Sequence, residues 1–255
     1  MRLIKYLFAL VVLAAIVAGI YVWRMPADVG YRYGARLLGP LQLSGIRGTI
    51  WNGHADGVSL FGQDLGELDW QALKRPLLSR ELVADVRIKG TEIDLAGVLT
   101  RRADGSVRAE GLRFSIPASR FEALLERPGL HLLGTVSGTL EDATLMTASI
   151  THAQGTARWS GVGAEGEVEA HFGDLLFDFA SQADGSVGGR VRDDGSGPVA
   201  VDGRFSLRVP SISGEAILRS RDGDPATLEL LRELGDPQPD GSVRVVVQGG
   251  AARWL

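Results

Sequence analysis

Cysteine is absent from this 255-residue chain. Disulfides, thiolate metal sites and cysteine nucleophiles are therefore excluded. Lysine is almost absent: Lys5, Lys74 and Lys89 are the only three, and arginine carries the remaining positive charge. Charge of either sign is missing from Tyr6 to Trp23, a run of 18 residues that also lacks proline. Basic surplus is missing as well. Setting aside Arg2 and Lys5, 25 of the 27 basic residues remain against 31 acidic ones. The part after the run is thus acidic, which argues against a nucleic-acid partner.

The uncharged run governs how the rest is read. As a helix rising about 1.5 Å per residue it spans roughly 27 Å, close to the hydrocarbon thickness of a bilayer. Tyr21 and Trp23 sit at one end, where amphipathic rings suit the headgroup zone. A cleaved secretory signal is the rival reading. It would need a shorter apolar region and a small-x-small site, and Ile16-Val17-Ala18 and Val17-Ala18-Gly19 fit that site poorly. The run therefore reads as an uncleaved transmembrane anchor. Residues 1–5 form a cytoplasmic tail, and everything from residue 24 onward is exported.

Residues 24–40 read as a juxtamembrane helix or linker, with Pro26 in its first turn and Gly39-Pro40 as its stop. From Leu41 the apolar period becomes two. Leu82, Ala84, Val86 and Ile88 alternate with Asp85, Arg87 and Lys89, and Phe205, Leu207 and Val209 with Arg204, Ser206 and Arg208. Val243, Val245 and Val247 repeat the pattern, as do Val168, Ala170 and Phe172. Such alternation marks strands with one buried and one wet face, hence antiparallel sheet. Asp-Gly-Ser-Val occurs at Asp104, Asp184 and Asp240, each time between strand-like runs. Asp-Gly supplies the positive φ that tight hairpins need. Unequal spacing rules out a fixed-period repeat.

Two amphipathic helices interrupt the strands. One is Pro117–Arg127, stopped by Pro128-Gly129. The other is Asp224–Leu234, with an Asp cap and Pro at its first turn. Asp193–Pro198 reads as a flexible loop tip. A weak module boundary falls near residues 125–133, inside one β-rich region spanning 41–255. The tail Ala251–Leu255 reads as a last strand.

No catalytic constellation emerges. Gly161-Val-Gly-Ala-Glu-Gly166 has dinucleotide-loop spacing, but a period-two strand follows it where a helix is required. His54, His131, His152 and His171 are scattered, without metal-ligand spacing. No G-x-S-x-G elbow is present. The reading is a non-enzymatic protein with no catalytic residues, no cofactor and no metal.

One region is distinctive. Leu43-Ser-Gly-Ile-Arg-Gly-Thr-Ile-Trp-Asn-Gly53 precedes Leu68-Asp-Trp70 and Leu73-Lys-Arg-Pro-Leu-Leu78. This stretch resembles the N-terminal part of protein N of the bacterial type II (general) secretion pathway. The Pro117–Arg127 segment, Gly134–Leu140 and Ala153–Gly161 look similar too. The resemblance implies a bacterial inner-membrane protein with its bulk in the periplasm, an accessory in exporting folded proteins across the outer membrane. Its implied partners are other type II secretion proteins, namely the inner-membrane platform and the secretin. The family is similar in its open sheet to envelope proteins with AsmA-like β grooves, so the alternative is a lipid-handling protein.

The expected fold is mainly β: highly twisted antiparallel sheet, one or two, with two short amphipathic helices and one N-terminal transmembrane helix. Trp51, Gly53 and Trp70 are the candidate contact residues. The tryptophans have two readings, core anchors or exposed partner contacts. Glycine beside them implies close backbone approach on either reading.

Overall fold

The computed structural model describes residues 24–35, 39–60, 62–73, 81–124, 131–146, 149–165, 170–208 and 211–250. The expected anchor Tyr6–Trp23 and the tail Ala251–Leu255 lie outside them. No helix among the described residues is long and apolar enough to cross a membrane.

Helix α1 (Ala27–Gly34) leads into β1 (Leu41–Ser44), β2 (Arg47–Gly48), β3 (Asn52–Leu60) and β4 (Gln63–Leu73). Then follow β5 (Leu82–Lys89), β6 (Asp94–Arg101), β7 (Val107–Pro117), a 3₁₀ helix (Ala118–Leu124), β8 (His131–Met146) and β9 (Ser149–Glu165). The chain finishes with β10 (Ala170–Ser181), β11 (Val187–Asp193), β12 (Val199–Arg208), β13 (Ser211–Ser220), α2 (Pro225–Leu234), β14 (Asp236–Pro237) and β15 (Val243–Gly250).

The fifteen strands among the described residues belong to one antiparallel sheet. Its order is β1-β3-β4 and onward in sequence to β13, then β15 and β14, with β2 beside β3. Nearly every strand pairs with its chain neighbour, so the sheet is a meander. The two strands flanking the expected module boundary pair directly with each other, from Val107↔Leu145 to Pro117↔Thr135.

A meander has two ends. The ends of β4, β6, β8, β10 and β12 and the starts of β5, β7, β9, β11 and β13 lie at one, the near end. The chain arrives there as well. Ile50 donates its amide to Met25 O, Pro26 bridges to Thr49, and Asn52 pairs with Gln71. The other connections, with α2 and the 3₁₀ helix, lie at the far end.

The sheet's faces differ as the alternation requires. Ala55, Leu68, Ile88, Leu95, Phe114, Ala157, Phe177, Val191, Ala216 and Val245 share one cross-strand row on the apolar face. The opposite face carries diagonal ion pairs between neighbouring strands, such as Arg192–Asp178 at 2.7 Å and Arg244–Glu215 at 2.8 Å. Exposed pairs of this kind are worth about 0–1 kcal/mol each, so they fix register and solubility more than stability.

Helix α2 seals the far end of the apolar face. Asp224 caps it by accepting the Thr227 amide at 2.9 Å. Its Leu231 is fully buried among Val162, Phe172, Val199, Val201, Leu218 and Val243. A second buried cluster sits nearer the other end, around Ala109, Ala143, Ala153 and Val187.

The structure corrects the expected Pro117–Arg127 helix. Pro117 still pairs with Thr135 as the last residue of β7, so helical backbone begins only at Ala118, and it is 3₁₀. The loop expected to be a flexible tip is tied at both aspartates. Asp193 pairs with Arg221, while Asp194 takes Arg158 and the Ser196 hydroxyl.

Candidate interaction surfaces

The three residues singled out by sequence come together at one corner. Trp51 precedes β3 and is buried, with 8 % of its surface exposed. Its carbonyl accepts the Ala72 amide at 2.7 Å. Gly53 stands directly opposite Trp70 in the β3–β4 ladder. Trp70 is half-buried, and its Nε1 donates to Ile50 O at 3.2 Å. A Cβ on Gly53 would run into the indole ring. Trp51 is therefore enclosed, and Gly53 is the recess that seats Trp70.

The same device recurs along the apolar face, and sequence reasoning missed it. Phe114 is directly opposite Gly138, Phe179 opposite Gly155, and Phe205 opposite Gly189. At each glycine a Cβ would meet the facing ring within 3 Å. The pairings chain into one row: Gly155, Phe179, Gly189, Phe205 and Gly214 alternate across β9 to β13. Rings lying over cross-strand glycines cover backbone that glycine would otherwise leave bare. Phe177 and Phe205 add an edge-to-face contact, centroids 6.1 Å apart. This row is half-buried, and α2 covers only the far part of the face.

The polar face holds shallow open hollows rather than enclosed cavities. One of about 600 Å³ is lined among others by Glu141, Gln154, Asp178, Arg190 and Arg204. On the same face at β3–β4, His54 lies between Asp69, at 2.8 Å from Nδ1, and Asp56, at 3.2 Å from Nε2. Arg47 pairs with Asp56. The hydrogen bond that His54 donates to the Asp69 carboxylate raises the His54 pKa above its ordinary value. His131 is 3.5 Å from Glu122, far from His54 along the sheet. Among the described residues no group of three acidic or histidine side chains can hold a metal ion.

The sheet edges are unequal. β14 pairs with β15 only at Val243 and Arg244. Among the described residues, no strand pairs with that edge of β15 from Val245 to Gly250. Val246 there is exposed.

Comparison with known proteins places this architecture. The family model described as type II secretion system (T2SS), protein N, matches residues 39–246, which takes in nearly the whole sheet. The type II secretion system protein N of Vibrio cholerae serotype O1 is 29% identical over 147 residues. That stretch covers 56% of this chain and 58% of the relative, so the match spans somewhat over half of the relative's length. No solved structure matches. With the model covering the sheet from its first strand to its last, the chain belongs to the type II secretion system protein N family.

Proposed function

We propose that this protein is a non-enzymatic component of the type II secretion apparatus. In this reading Tyr6–Trp23 anchors it in the bacterial inner membrane, and the sheet stands in the periplasm. Family membership over residues 39–246 is the observation that carries the reading. The anchor confines the sheet to the membrane face, which raises its effective concentration near other envelope components. The open edge of β15 then takes an extended segment of the inner-membrane platform or the secretin as an added strand. Its Val245-Val246-Val247 core has high β propensity, and neither proline nor lysine blocks it.

Photo-crosslinking in cells from Val246 tests this. Position 51 is unsuitable, because Trp51 is buried. Adducts with other secretion proteins are expected. If Val246 captures none of them while the intact apparatus is assembled, and the chain does not co-purify with it, the reading fails.

One observation favours a second reading. The apolar face is a single layer of sheet lined by rings and covered by α2 only at its far end. Such a face suits an acyl chain, as lipid handling requires. A photoactivatable fatty-acid probe fed to cells would label peptides containing Phe179 or Phe205 on this reading. Absence of label there, with other envelope proteins labelled, would remove it.

A further inference from the structure

We infer that the near end of the sheet rests on the surface of a lipid bilayer, so that the strands rise away from the membrane. This rests on the anchored reading above and specifies what the sheet itself touches.

Three independent observations meet at this end. The first is where apolar side chains are exposed. Among the described residues six large hydrophobic side chains are strongly exposed, and four of them are Leu73 (51%), Leu82 (43%), Leu145 (40%) and Met146 (42%). Leu73, Leu82 and Met146 are strand termini at the near end, and Leu145 is the residue before the end of β8. Leu82, Arg101, Val107 and Leu145 follow one another in a single cross-strand row, so two of these side chains belong to one rim. Exposed apolar groups gathered at one end of a molecule mark a contact surface.

The second is where the chain enters. Met25 and Pro26 are bonded to Ile50 and Thr49, two to three residues from the start of β3 at the near end. The uncharged run Tyr6–Trp23 finishes one residue before Arg24. A segment long enough to span a bilayer therefore joins the sheet at the end that exposes Leu73.

The third is charge. At the near end Arg101 and Arg102 flank the apolar rim and Arg24 follows the run, while Glu81, Asp104 and Asp184 lie there too, Asp184 paired with Arg208. Among the described residues this end therefore carries no acidic surplus. Arginine suits this position, because its aliphatic stem can lie on apolar surface while the guanidinium reaches phosphate. The far end does carry an acidic surplus. Residues 221–241 carry Asp222, Asp224, Glu229, Glu233, Asp236 and Asp240, all exposed, against Arg221 and Arg232. A bilayer surface with anionic lipid repels the far end and not the near end, over a Debye length of about 8 Å at physiological ionic strength. With β9 at 17 residues and about 3.3 Å per residue, the far end stands up to roughly 50 Å from the bilayer.

This orientation gives the apolar face a direction. It is sealed by Leu231 at the acidic end and reaches its exposed rim at the membrane end.

The absence of cysteine makes the test clean. Single cysteines are introduced in the full chain at the near end (Leu82→Cys, Met146→Cys) and the far end (Thr91→Cys, Glu233→Cys). Each carries an environment-sensitive fluorophore. The chain is reconstituted in nanodiscs of phosphatidylethanolamine and phosphatidylglycerol, with doxyl-labelled lipid as quencher. Near-end probes are expected to be quenched several-fold more than far-end probes and to be shielded from iodide. The pair Leu82→Asp and Leu145→Asp is expected to abolish quenching at position 146 while the chain stays in the disc. Equal quenching at both ends, or quenching confined to the far end, overturns the inference and leaves the anchored reading standing. A chain that does not enter the discs overturns the anchored reading and this inference with it. Photo-crosslinking from Leu145 that captures a protein instead of lipid assigns the rim to a protein partner and also overturns it.

Discussion

Gly53 and Trp70 face each other across β3 and β4, and the indole ring occupies the space a Cβ on Gly53 would need. The clash is with side chain alone at the three nearest atoms, which makes the pair separable by mutation. Gly53→Ala is expected to destabilise by about 1–3 kcal/mol through overpacking. Trp70→Leu is expected to destabilise by loss of ring burial. Because the smaller side chain vacates the site, the double variant should cost less than the sum of the two. Denaturant unfolding of the four proteins measures the coupling. Strict additivity would mean that the two residues do not share this space.

The same logic separates packing from capping at the far end. Leu231 is fully buried in the largest apolar cluster, whereas Asp224 is an exposed cap. Leu231→Ala is expected to cost about 2–5 kcal/mol, the range for a buried leucine with a cavity left behind. Asp224→Ala is expected to cost about 1 kcal/mol. Thermal or denaturant unfolding checks both. If the two costs were equal, α2 would be a surface ornament and the apolar face would not be closed there.

The sheet was legible because each strand advertises its own alternation, and the meander adds only neighbour pairing. Leu82–Ile88 and Val243–Val247 read as strands from their period and are strands. The Gly–Phe row was not legible. Gly155, Phe179, Gly189 and Phe205 are separated by 24, 10 and 16 positions in the sequence, and only the register brings them opposite one another. Three Asp-Gly-Ser turns were visible because valine follows each. The fourth, Asp194-Gly195-Ser196, is followed by glycine and was hidden inside a loop. The expected Pro117–Arg127 helix is present over Ala118–Leu124, but amphipathic spacing does not reveal that it is 3₁₀ or that Pro117 stays paired to Thr135, and Leu125–Arg127 lie outside the described residues. For Trp51 and Trp70, sequence left core and contact open. Only burial and register reveal that Trp51 is enclosed and that Trp70 lies over Gly53.

Those four turns share one hydrogen-bond pattern, which makes a prediction about acid. Asp184 Oδ1 accepts both the amide and the hydroxyl of Ser186, at 3.0 and 2.7 Å, and Asp104 and Asp240 do the same with Ser106 and Ser242. The serine hydroxyl, then the amide, holds each carboxylate below its ordinary pKa. A carboxylate with a depressed folded pKa contributes stability that is present above its unfolded pKa. It is lost as pH falls through the folded value. Ser186→Ala should therefore raise the Asp184 pKa toward 3.8, as read by carbon-13 titration of the carboxyl. The stability advantage of the unmutated protein over Ser186→Ala should shrink below that pH. An Asp184 titration that does not move would show that Arg208, also bonded to Asp184 at 2.6 Å, is what holds the carboxylate ionised.

His54 responds to pH in the opposite sense. Its hydrogen bond to the Asp69 carboxylate is the main cause that raises its pKa, and Asp56, shared with Arg47, adds to it. A histidine with a raised folded pKa contributes stability that is fully present below its unfolded value of about 6.5. It is lost as pH rises through the folded value. Two results are expected from proton NMR. The His54 ring should titrate above 6.5, and Asp69→Asn should bring it down toward that value. Unfolding experiments should then show a larger penalty for Asp69→Asn at pH 5.5 than at pH 8.5, conditions chosen to lie about one and two units either side of the unfolded value. Both residues are on the polar face at the β3–β4 ladder, so the change is local and should leave Trp70 fluorescence unaltered. A ring that titrates at or below 6.5 would mean that Asp56 is held by Arg47 and that the Asp69 bond is not maintained in solution.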